Sequence, residues 1–326
     1  MKKDYLKQIQ VLNSTLWENR ALRPRIEEWL NNFSLSEEKD YALYMLSRLI
    51  YYNSNNIRNL LIALYRDLFR YPIIKKIRED NGHTIDEMII EKAFYEELMN
   101  TRFLGVGNPS ESGAHLLYYF RQENKIPKDL FVNTDDIIEY DSHNNLKIRD
   151  KFKNVRHFVF IDDVCGSGTQ ATSDDSNVKR CVSNLKGVVT KADISYFMLF
   201  GLTKGIEIVR NSKLYDKVEA VITLDETYQC FSDKSRYFND NIHDKKIARQ
   251  IAYKYGFPLA KFLAEKQGFL PYEINYVADH RALGFGNCQL LLSMHHNTPD
   301  NSLPIIWFDE DDGLWTPIFK RYNKVY

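Results

Sequence analysis

The feature that most limits the fold is a series of short apolar runs, after about residue 100, that alternate with helical segments. The runs are rich in Val, Ile and Phe and read RFLGVG, DLFV, HFVFIDD, ISYFMLF and VEAVITL. Segments such as AHLLYYFRQEN and TKGIEIVRN lie between most of them. Continuously apolar strands that alternate with helices are typical of a mainly parallel sheet with flanking helices. We therefore predict an α/β domain over residues 101–326, with a C-terminal elaboration in which QLLLSM and LPIIWF form late strands.

Residues 1–100 have a different character, and we predict that they form an α-helical N-terminal domain. Glycine is absent from residues 1–81, as suits a helical bundle. Capping boxes at 34–37 (SLSE) and 84–87 (TIDE) precede apolar periodic segments. Between them, IRNLLIALYRDLFRY places apolar residues at three- and four-residue steps, which predicts a helix with one buried stripe.

Composition excludes several classes of function. Lys and Arg together number 44, and so do Asp and Glu, so we expect no bulk binding of duplex nucleic acid. The cysteines are far apart, at Cys165, Cys181, Cys230 and Cys288, which argues against a zinc site or a disulfide framework. The N-terminal residues do not resemble a signal peptide, and no apolar run is long enough to span a membrane. We expect a soluble, cytoplasmic protein.

The stretch FVFIDDVCGSGTQ, residues 158–170, carries the clearest chemical signal. Its apolar strand runs into Asp162 and Asp163, and ligands bind at the carboxyl ends of strands in open parallel sheets. The Gly-Ser-Gly turn that follows lets backbone N–H groups approach an anion, and a helix predicted to begin near Ser173 adds a favourable dipole. The two carboxylates suit sugar hydroxyls or a divalent cation. Together these features predict a site for ribose 5-phosphate.

Three other interpretations of this stretch fit less well. A Walker A loop, GxxxxGK[ST], occurs nowhere in the chain, although FVFIDD alone could be a Walker B strand. A dinucleotide-binding GxGxxG motif would need glycine at Ala171, and its acidic residue would follow the glycines rather than precede them. A buried strand that ends in a solvated Asp-Asp turn explains the glycines, but it does not explain the order of acids, hydroxyls and glycines.

The stretch resembles the phosphoribosyl-pyrophosphate (PRPP) signature of type I phosphoribosyltransferases. RFLGVGNPSESGAHLLYYFRQEN and GFGNCQLLLSMHHNTPDNSLPIIW also resemble the phosphoribosyltransferase-like proteins of bacterial conflict and antiphage systems, the PRTase-CE-like branch. The resemblance covers most of residues 100–326. It implies that Asp162 and Asp163 are the catalytic pair, hold the ribose hydroxyls and transiently bind Mg²⁺ that arrives with the substrate. It also implies that the 5′-phosphate is held by Gly166, Ser167, Gly168, Thr169 and Gln170.

A second loop, residues 108–113, lies where such enzymes place their pyrophosphate loop. Its candidate residues are Ser110, Ser112 and Gly113, together with His115 in the first helical turn that follows. A small, hydroxyl-rich turn at a helix N-terminus suits an anion. An ordinary N-cap by Ser110 or Ser112 explains the same residues and remains open.

Two functions of different classes follow from the resemblance. The first is an enzyme, a pentosyl-transferring glycosyltransferase that uses PRPP and Mg²⁺ and acts as an effector of antiphage defence. The second is a catalytically inactive module that senses PRPP or a nucleotide and signals through a protein partner. A further hypothesis is that the N-terminal helices dock an ATPase or reverse transcriptase of the same defence system. The acceptor and any homo-oligomer are not identified by the sequence.

Overall fold

The computed structural model describes residues 2–106, 112–174, 176–189, 191–239, 242–309 and 313–321; for residues 2–3 and 112–115 it describes the backbone alone. The chain divides into two compact units. The terminal unit consists of Met1–Ile57 and Leu224–Tyr326, and the central unit consists of Arg58–Thr223. Each unit contains its own buried apolar core. The sequence pattern predicts a single boundary near residue 100 instead.

The chain begins with helices, as predicted. Their bounds are α1 Lys2–Thr15, α2 Arg23–Leu30 and α3 Ser36–Ser47, and a short strand, β1 Ile50–Tyr52, follows. The capping box before α3 is shifted by one residue from the predicted position. The backbone N–H of Leu35 donates to Glu38 Oε2 at 3.0 Å, so Leu35 is the N-cap residue.

Residues 54–80 form an unbroken helical stretch where the sequence predicted one helix with a buried stripe. It consists of α4 Ser54–Ala63, a π-helical segment Leu64–Arg70 and α5 Tyr71–Asp80, and α6 Glu87–Met99 follows. Asp86 is the N-cap residue of α6, and its Oδ1 accepts the N–H of Met88 at 2.9 Å. The predicted capping box at 84–87, with Thr84 as the N-cap residue, therefore places the helix start two residues too early.

The central unit is built on a parallel sheet, which confirms the predicted fold class. The bounds of its strands and helices are β2 Thr101–Gly105, α7 Ser112–Asn124, β3 Ile138–Tyr140, β4 Leu146–Ile148, β5 His157–Cys165, α8 Thr169–Thr172, α9 Asn177–Val188, β6 Asp193–Leu202, α10 Thr203–Asn211 and β7 Lys217–Leu224. The main sheet has the order β2-β5-β6-β7, and β5 pairs in parallel with both neighbours. Strands β3 and β4 form a separate antiparallel hairpin.

The remaining elements belong to the terminal unit. They are α11 Lys245–Lys266, α12 Pro271–Arg281, β8 Leu292–Met294 and α13 Pro304–Trp307. Strand β8, within the predicted strand QLLLSM, pairs in parallel with β1. No helix in the described part of the chain combines the length and the apolar character needed to cross a membrane.

Two predicted strands are wrong. The run LPIIWF contains the short helix α13, with Pro304 at its first position, where proline fits a helix because that N–H has no intrahelical partner. The run DLFV, residues 129–132, overlaps a 3₁₀ turn, Lys128–Leu130, and within the run only Phe131 forms an isolated bridge, with Phe103. Short apolar runs do not by themselves distinguish a buried strand from a buried helical turn.

Candidate functional site

The two aspartates of the signature lie at the carboxyl end of β5, in the interior of the main sheet. The strand continues to Cys165, so Asp162 and Asp163 are part of it rather than of the loop that follows. Residues before them are fully buried between the neighbouring strands; Phe160, for example, pairs with Leu104 of β2 and Tyr196 of β6. A rigid, buried strand therefore delivers both carboxyl groups to the sheet edge where open parallel sheets bind ligands.

The carboxyl group of Asp162 is buried, with 4% of the residue exposed. The hydroxyl of Tyr196 donates a hydrogen bond to its Oδ2 at 2.6 Å, and the backbone N–H of Asp163 donates to its Oδ1 at 2.9 Å. Burial, and then the neighbouring Asp163 carboxylate, raise the pKa of Asp162 well above its ordinary value. Burial and Asp162 likewise raise the pKa of Tyr196, which keeps its hydroxyl protonated as a donor.

Asp163 is in a different environment because it is only half-buried. Its Oδ1 accepts the backbone N–H of Val164 at 2.8 Å, which fixes the side chain close to the strand end. Asp163 is thus the more accessible carboxylate of the pair. It is the one suited to meet a sugar hydroxyl or a cation from solvent.

The loop after β5 is held in a conformation that only glycine adopts easily. Gly168 has φ +79° and ψ −3°, in the left-handed region. A Cβ at Gly168 would lie 3.0 Å from the carbonyl oxygen of Gly205 and 3.2 Å from a methyl group of Val209, both in α10. A Cβ at Gly205 would in turn lie 2.1 Å from the carbonyl oxygen of Gly166. The backbones of the loop and of α10 are therefore in close contact.

The two hydroxyl groups of the loop lie within hydrogen-bond distance of each other. Ser167 Oγ and Thr169 Oγ1 are 2.8 Å apart, and the Thr169 side chain is exposed to solvent. Helix α8 begins at Thr169 and makes a single turn, whereas the sequence predicted one helix beginning near Ser173; the longer α9 starts at Asn177. A one-turn helix has only a small dipole, so an anion here would depend on backbone N–H groups and hydroxyls. Gln170 is also exposed.

The proposed pyrophosphate loop is described only in part. Ser110 lies outside the described residues. Ser112, Gly113 and His115 are in the first turns of α7, where the backbone alone is described. The role predicted for these four residues stays a prediction.

The donor groups of the site suit Mg²⁺ only when a bound substrate supplies further ligands. Within the described ranges, no group of three or more His, Cys, Asp or Glu side chains could hold a metal ion. Asp163 offers carboxylate oxygen at the surface, whereas Asp162 is buried against Tyr196. Mg²⁺ usually keeps several waters and completes its shell with one or two carboxylates and substrate phosphates, which fits this donor set.

Sequence reasoning missed two residues that shape the site. Tyr196 contacts Asp162 from the neighbouring strand, 34 positions along the chain, and lies within a run that indicates only a buried strand. Gly205 fits against Gly166, and its sequence context, TKGIEIVRN, indicates only a helix. Both contacts depend on the pairing and packing of separate elements, so local sequence carries no signal for either.

A parallel α/β sheet with this signature at the end of an interior strand defines a phosphoribosyltransferase-like protein. The model of one such family, PRTase-CE, matches residues 26–321, nearly the whole chain. The chain therefore belongs to the PRTase-CE family, which confirms the resemblance found in its sequence. No curated protein matches the chain at a significant level.

Proposed function

We propose that the protein binds PRPP, or a nucleotide that contains ribose 5-phosphate, at the loop Gly166–Gln170 and the adjacent carboxylates. The observation that carries the proposal is the loop itself. Gly168 holds it in a left-handed turn against α10, with the Ser167 and Thr169 hydroxyls together, directly after the half-buried Asp163. Backbone N–H groups and hydroxyls suit the 5′-phosphate, and the carboxylate suits the ribose hydroxyls.

The unequal burial of the two aspartates suits a ligand that is itself anionic. Two ionised carboxylates beside PRPP would repel its phosphates. Because burial and the Asp163 carboxylate raise the pKa of Asp162, the charged form of Asp162 is disfavoured relative to that of a free aspartate. Asp163 is the more accessible carboxyl group of the two.

In the enzymatic form of the proposal, the bond between the anomeric carbon of PRPP and pyrophosphate breaks, and an acceptor forms the new bond to that carbon. Positive charge develops on the ribose ring, and the protein stabilises it by position and charge rather than by a covalent nucleophile. Asp163 is the residue with an accessible negative charge for this purpose. Bound Mg²⁺ would neutralise charge on the departing pyrophosphate.

Turnover is the direct test of the enzymatic form. Purified protein with Mg²⁺ and PRPP is assayed for release of pyrophosphate across a panel of nucleobases and other acceptors. We expect release by the wild type and its loss in Asp163→Asn, because asparagine retains the hydrogen bond from Val164 but not the charge. Asp174→Asn is the matched control, since Asp174 lies on the surface after the same loop and pairs with Lys179 at 2.5 Å. If no pyrophosphate is released with any acceptor, the enzymatic form of the proposal is wrong.

The second candidate is a sensor that binds the same ligand without turnover. The hydrogen bond from Tyr196 to the buried Asp162 favours it, because this carboxyl is already occupied by a protein partner. Calorimetry distinguishes the two functions. Tight binding of PRPP without release of pyrophosphate supports the sensor, whereas turnover excludes it as the complete function.

The biological role we propose is that of an effector in bacterial antiphage defence. Its support is the resemblance to the conflict-system branch and the helices that precede the α/β core. Depletion of PRPP, or modification of an acceptor, would harm an infected cell. Phage challenge of cells that carry the wild-type gene or Asp163→Asn tests this role. Equal protection by both genes would show that defence does not depend on the phosphoribosyl site. Gene neighbourhood and co-purification test the proposed partner, an ATPase or reverse transcriptase.

A further inference from the structure

A cavity of about 600 Å³ lies beside β2, the edge strand of the main sheet. Arg102, the second residue of β2, lines this cavity. Its partner in β5 is Phe158, which precedes Asp162 by four residues, a distance of roughly 13 Å along a strand. The cavity is therefore set back from the signature loop. Neither the signature nor the proposed function assigns it a role.

The cavity is rich in positive charge. Four cations line it, namely Arg102, Arg121, Lys128 and Lys151, against two carboxylates, Asp129 and Asp136. Among the described residues, none of these four cations forms a salt bridge. Two nearby lysines differ in this respect: Lys153 contacts Asp150 at 2.8 Å, and Lys147 contacts Glu139 at 3.0 Å.

Arg102 is partly buried, and its donors are not all used. Its guanidinium donates to the carbonyl oxygens of Met99 and Thr101 at 3.0 and 2.7 Å. Its Nε atom is buried and has no hydrogen-bond partner within the described part of the chain. The two carbonyl oxygens hold the Arg102 guanidinium in place at the cavity wall, where it contributes positive charge.

Aromatic rings accompany the cations. Lys151 Nζ lies 4.8 Å, and the Arg102 guanidinium 5.7 Å, from the centre of the Phe152 ring, which is buried. The Arg121 guanidinium lies 5.8 Å from the centre of the Tyr118 ring, and Tyr118 is 51% exposed. An exposed tyrosine beside an arginine is a platform on which a flat, electron-rich base can stack.

We propose that this cavity is a second nucleotide-binding site, separate from the phosphoribosyl site. The phosphates of the nucleotide contact Arg102, Lys128 and Lys151, and its base stacks on Tyr118 beside Arg121. Asp129 and Asp136 accept hydrogen bonds from ribose hydroxyls or a base amino group. The volume is in the range of about 300–1,000 Å³ that is usual for small-molecule sites.

Calorimetric titration of the full-length chain with ATP, GTP, CTP and UTP tests this site. We expect at least one of them to bind the wild type. The double variant Lys128→Gln with Lys151→Gln should weaken that binding by about ten-fold or more, because each lysine supplies a charge-assisted hydrogen bond. Tyr118→Ala should weaken the same nucleotide but leave inorganic triphosphate unaffected. Lys153→Gln is the matched control, since Lys153 is 61% exposed and lies outside the cavity. Thermal melting confirms that each variant folds.

Variants of the signature separate this site from the proposed phosphoribosyl site. In Ser167→Ala the nucleotide should bind the cavity as in the wild type, whatever happens to PRPP. Binding that is lost in Ser167→Ala and retained in the double lysine variant would place the nucleotide at the signature and overturn the proposal. The proposal also fails if inorganic triphosphate binds as tightly as the nucleotide, or if none of the four nucleotides binds at millimolar concentration.

Discussion

Asp162 makes the stability of the protein depend on pH. Because burial and the Asp163 carboxylate raise its pKa in the folded protein, the folded state binds this proton more tightly than the unfolded chain does. The resulting contribution to stability is complete at low pH and is lost as pH rises through the folded-state pKa. Asp162→Asn retains an oxygen for the Tyr196 hydroxyl and removes the titration.

We therefore expect the melting temperature of Asp162→Asn, relative to wild type, to increase by a few degrees as pH is raised from about 4 to about 8. Scanning calorimetry at several pH values provides the measurement. Asp174→Asn, at an exposed position where the pairing with Lys179 lowers the pKa, should not show this rise. A difference between Asp162→Asn and wild type that does not vary with pH would mean that Asp162 does not titrate as its burial indicates.

The loop Gly166–Gln170, which we propose binds the 5′-phosphate, permits a graded prediction. Ser167→Ala should weaken phosphate binding by about 1–3 kcal/mol, the contribution of one charge-assisted hydrogen bond, with little effect on folding. Gly168→Val should be more harmful, since its left-handed φ of +79° and its contact with Gly205 leave no room for a branched side chain. Titration with PRPP and thermal melting of both variants give the comparison. If Gly168→Val loses no more binding than Ser167→Ala and is as stable as the wild type, the argument from the close packing of Gly168 is wrong.

At the scale of single residues, the sequence predicts a candidate site but not its electrostatics. The order of Asp162, Asp163 and Gly168 in one short stretch is visible without a structure. The sequence does not reveal that Asp162 is buried against Tyr196, because that contact depends on the register of β5 and β6. The equal roles predicted for the two aspartates stay untested, and the structure gives the two side chains unequal access to solvent.

At the scale of elements, the loop after β5 depends on α10 for its shape. Gly205→Ala should force the loop backbone to move, because the new Cβ would lie 2.1 Å from the Gly166 carbonyl oxygen. We expect a stability loss of about 1–3 kcal/mol, typical of overpacking, together with weaker binding of PRPP. Denaturant unfolding and calorimetry measure the two effects.

Gly187→Ala is the matched control for Gly205→Ala. Gly187 lies near the end of α9, and within the described residues no atom beyond its chain neighbours and its own helix backbone lies within 4 Å of an added Cβ. Alanine there should be neutral or stabilising by up to about 1 kcal/mol, because it favours the helix over the unfolded chain. If both alanine variants behave alike, the close contact between the loop and α10 does not determine the shape of the site.

Run length alone does not decide which elements the sequence predicts correctly. The apolar runs FVFI and ISYFMLF form the strands β5 and β6. LPIIWF is longer than FVFI and DLFV is of the same length, yet each forms or adjoins a single helical turn. Pro304 carried a usable signal, since proline at that position fits the start of a helix better than a paired strand.

At the scale of the whole molecule, the cysteines report on the integrity of each unit. Cys165 and Cys181 are buried in the central unit, and Cys230 and Cys288 are buried in the terminal unit. Burial raises the pKa of Cys181 to about 12, which keeps its thiol unreactive in the folded protein. We expect no reaction with a thiol reagent under native conditions.

As denaturant is added, the two thiols of a unit should become reactive together. Mass spectrometry of the labelled peptides measures this reactivity site by site. Reactivity of Cys165 without Cys181, or of Cys230 without Cys288, would show that the units do not unfold cooperatively. The division of the chain was the least predictable property of the sequence, because segments separated by more than 160 residues form one unit. No local pattern indicates that the two ends of the chain share a core.

The central claim is that the signature loop is a site for PRPP, and calorimetric titration with PRPP and Mg²⁺ tests it most directly. The wild type and Gly187→Ala should bind with the same affinity. Asp163→Asn and Ser167→Ala should each bind at least about five-fold more weakly, while their melting temperatures stay close to that of the wild type. If both signature variants bind PRPP as tightly as the wild type, or if the wild type does not bind it at all, the phosphoribosyl assignment of this loop is wrong.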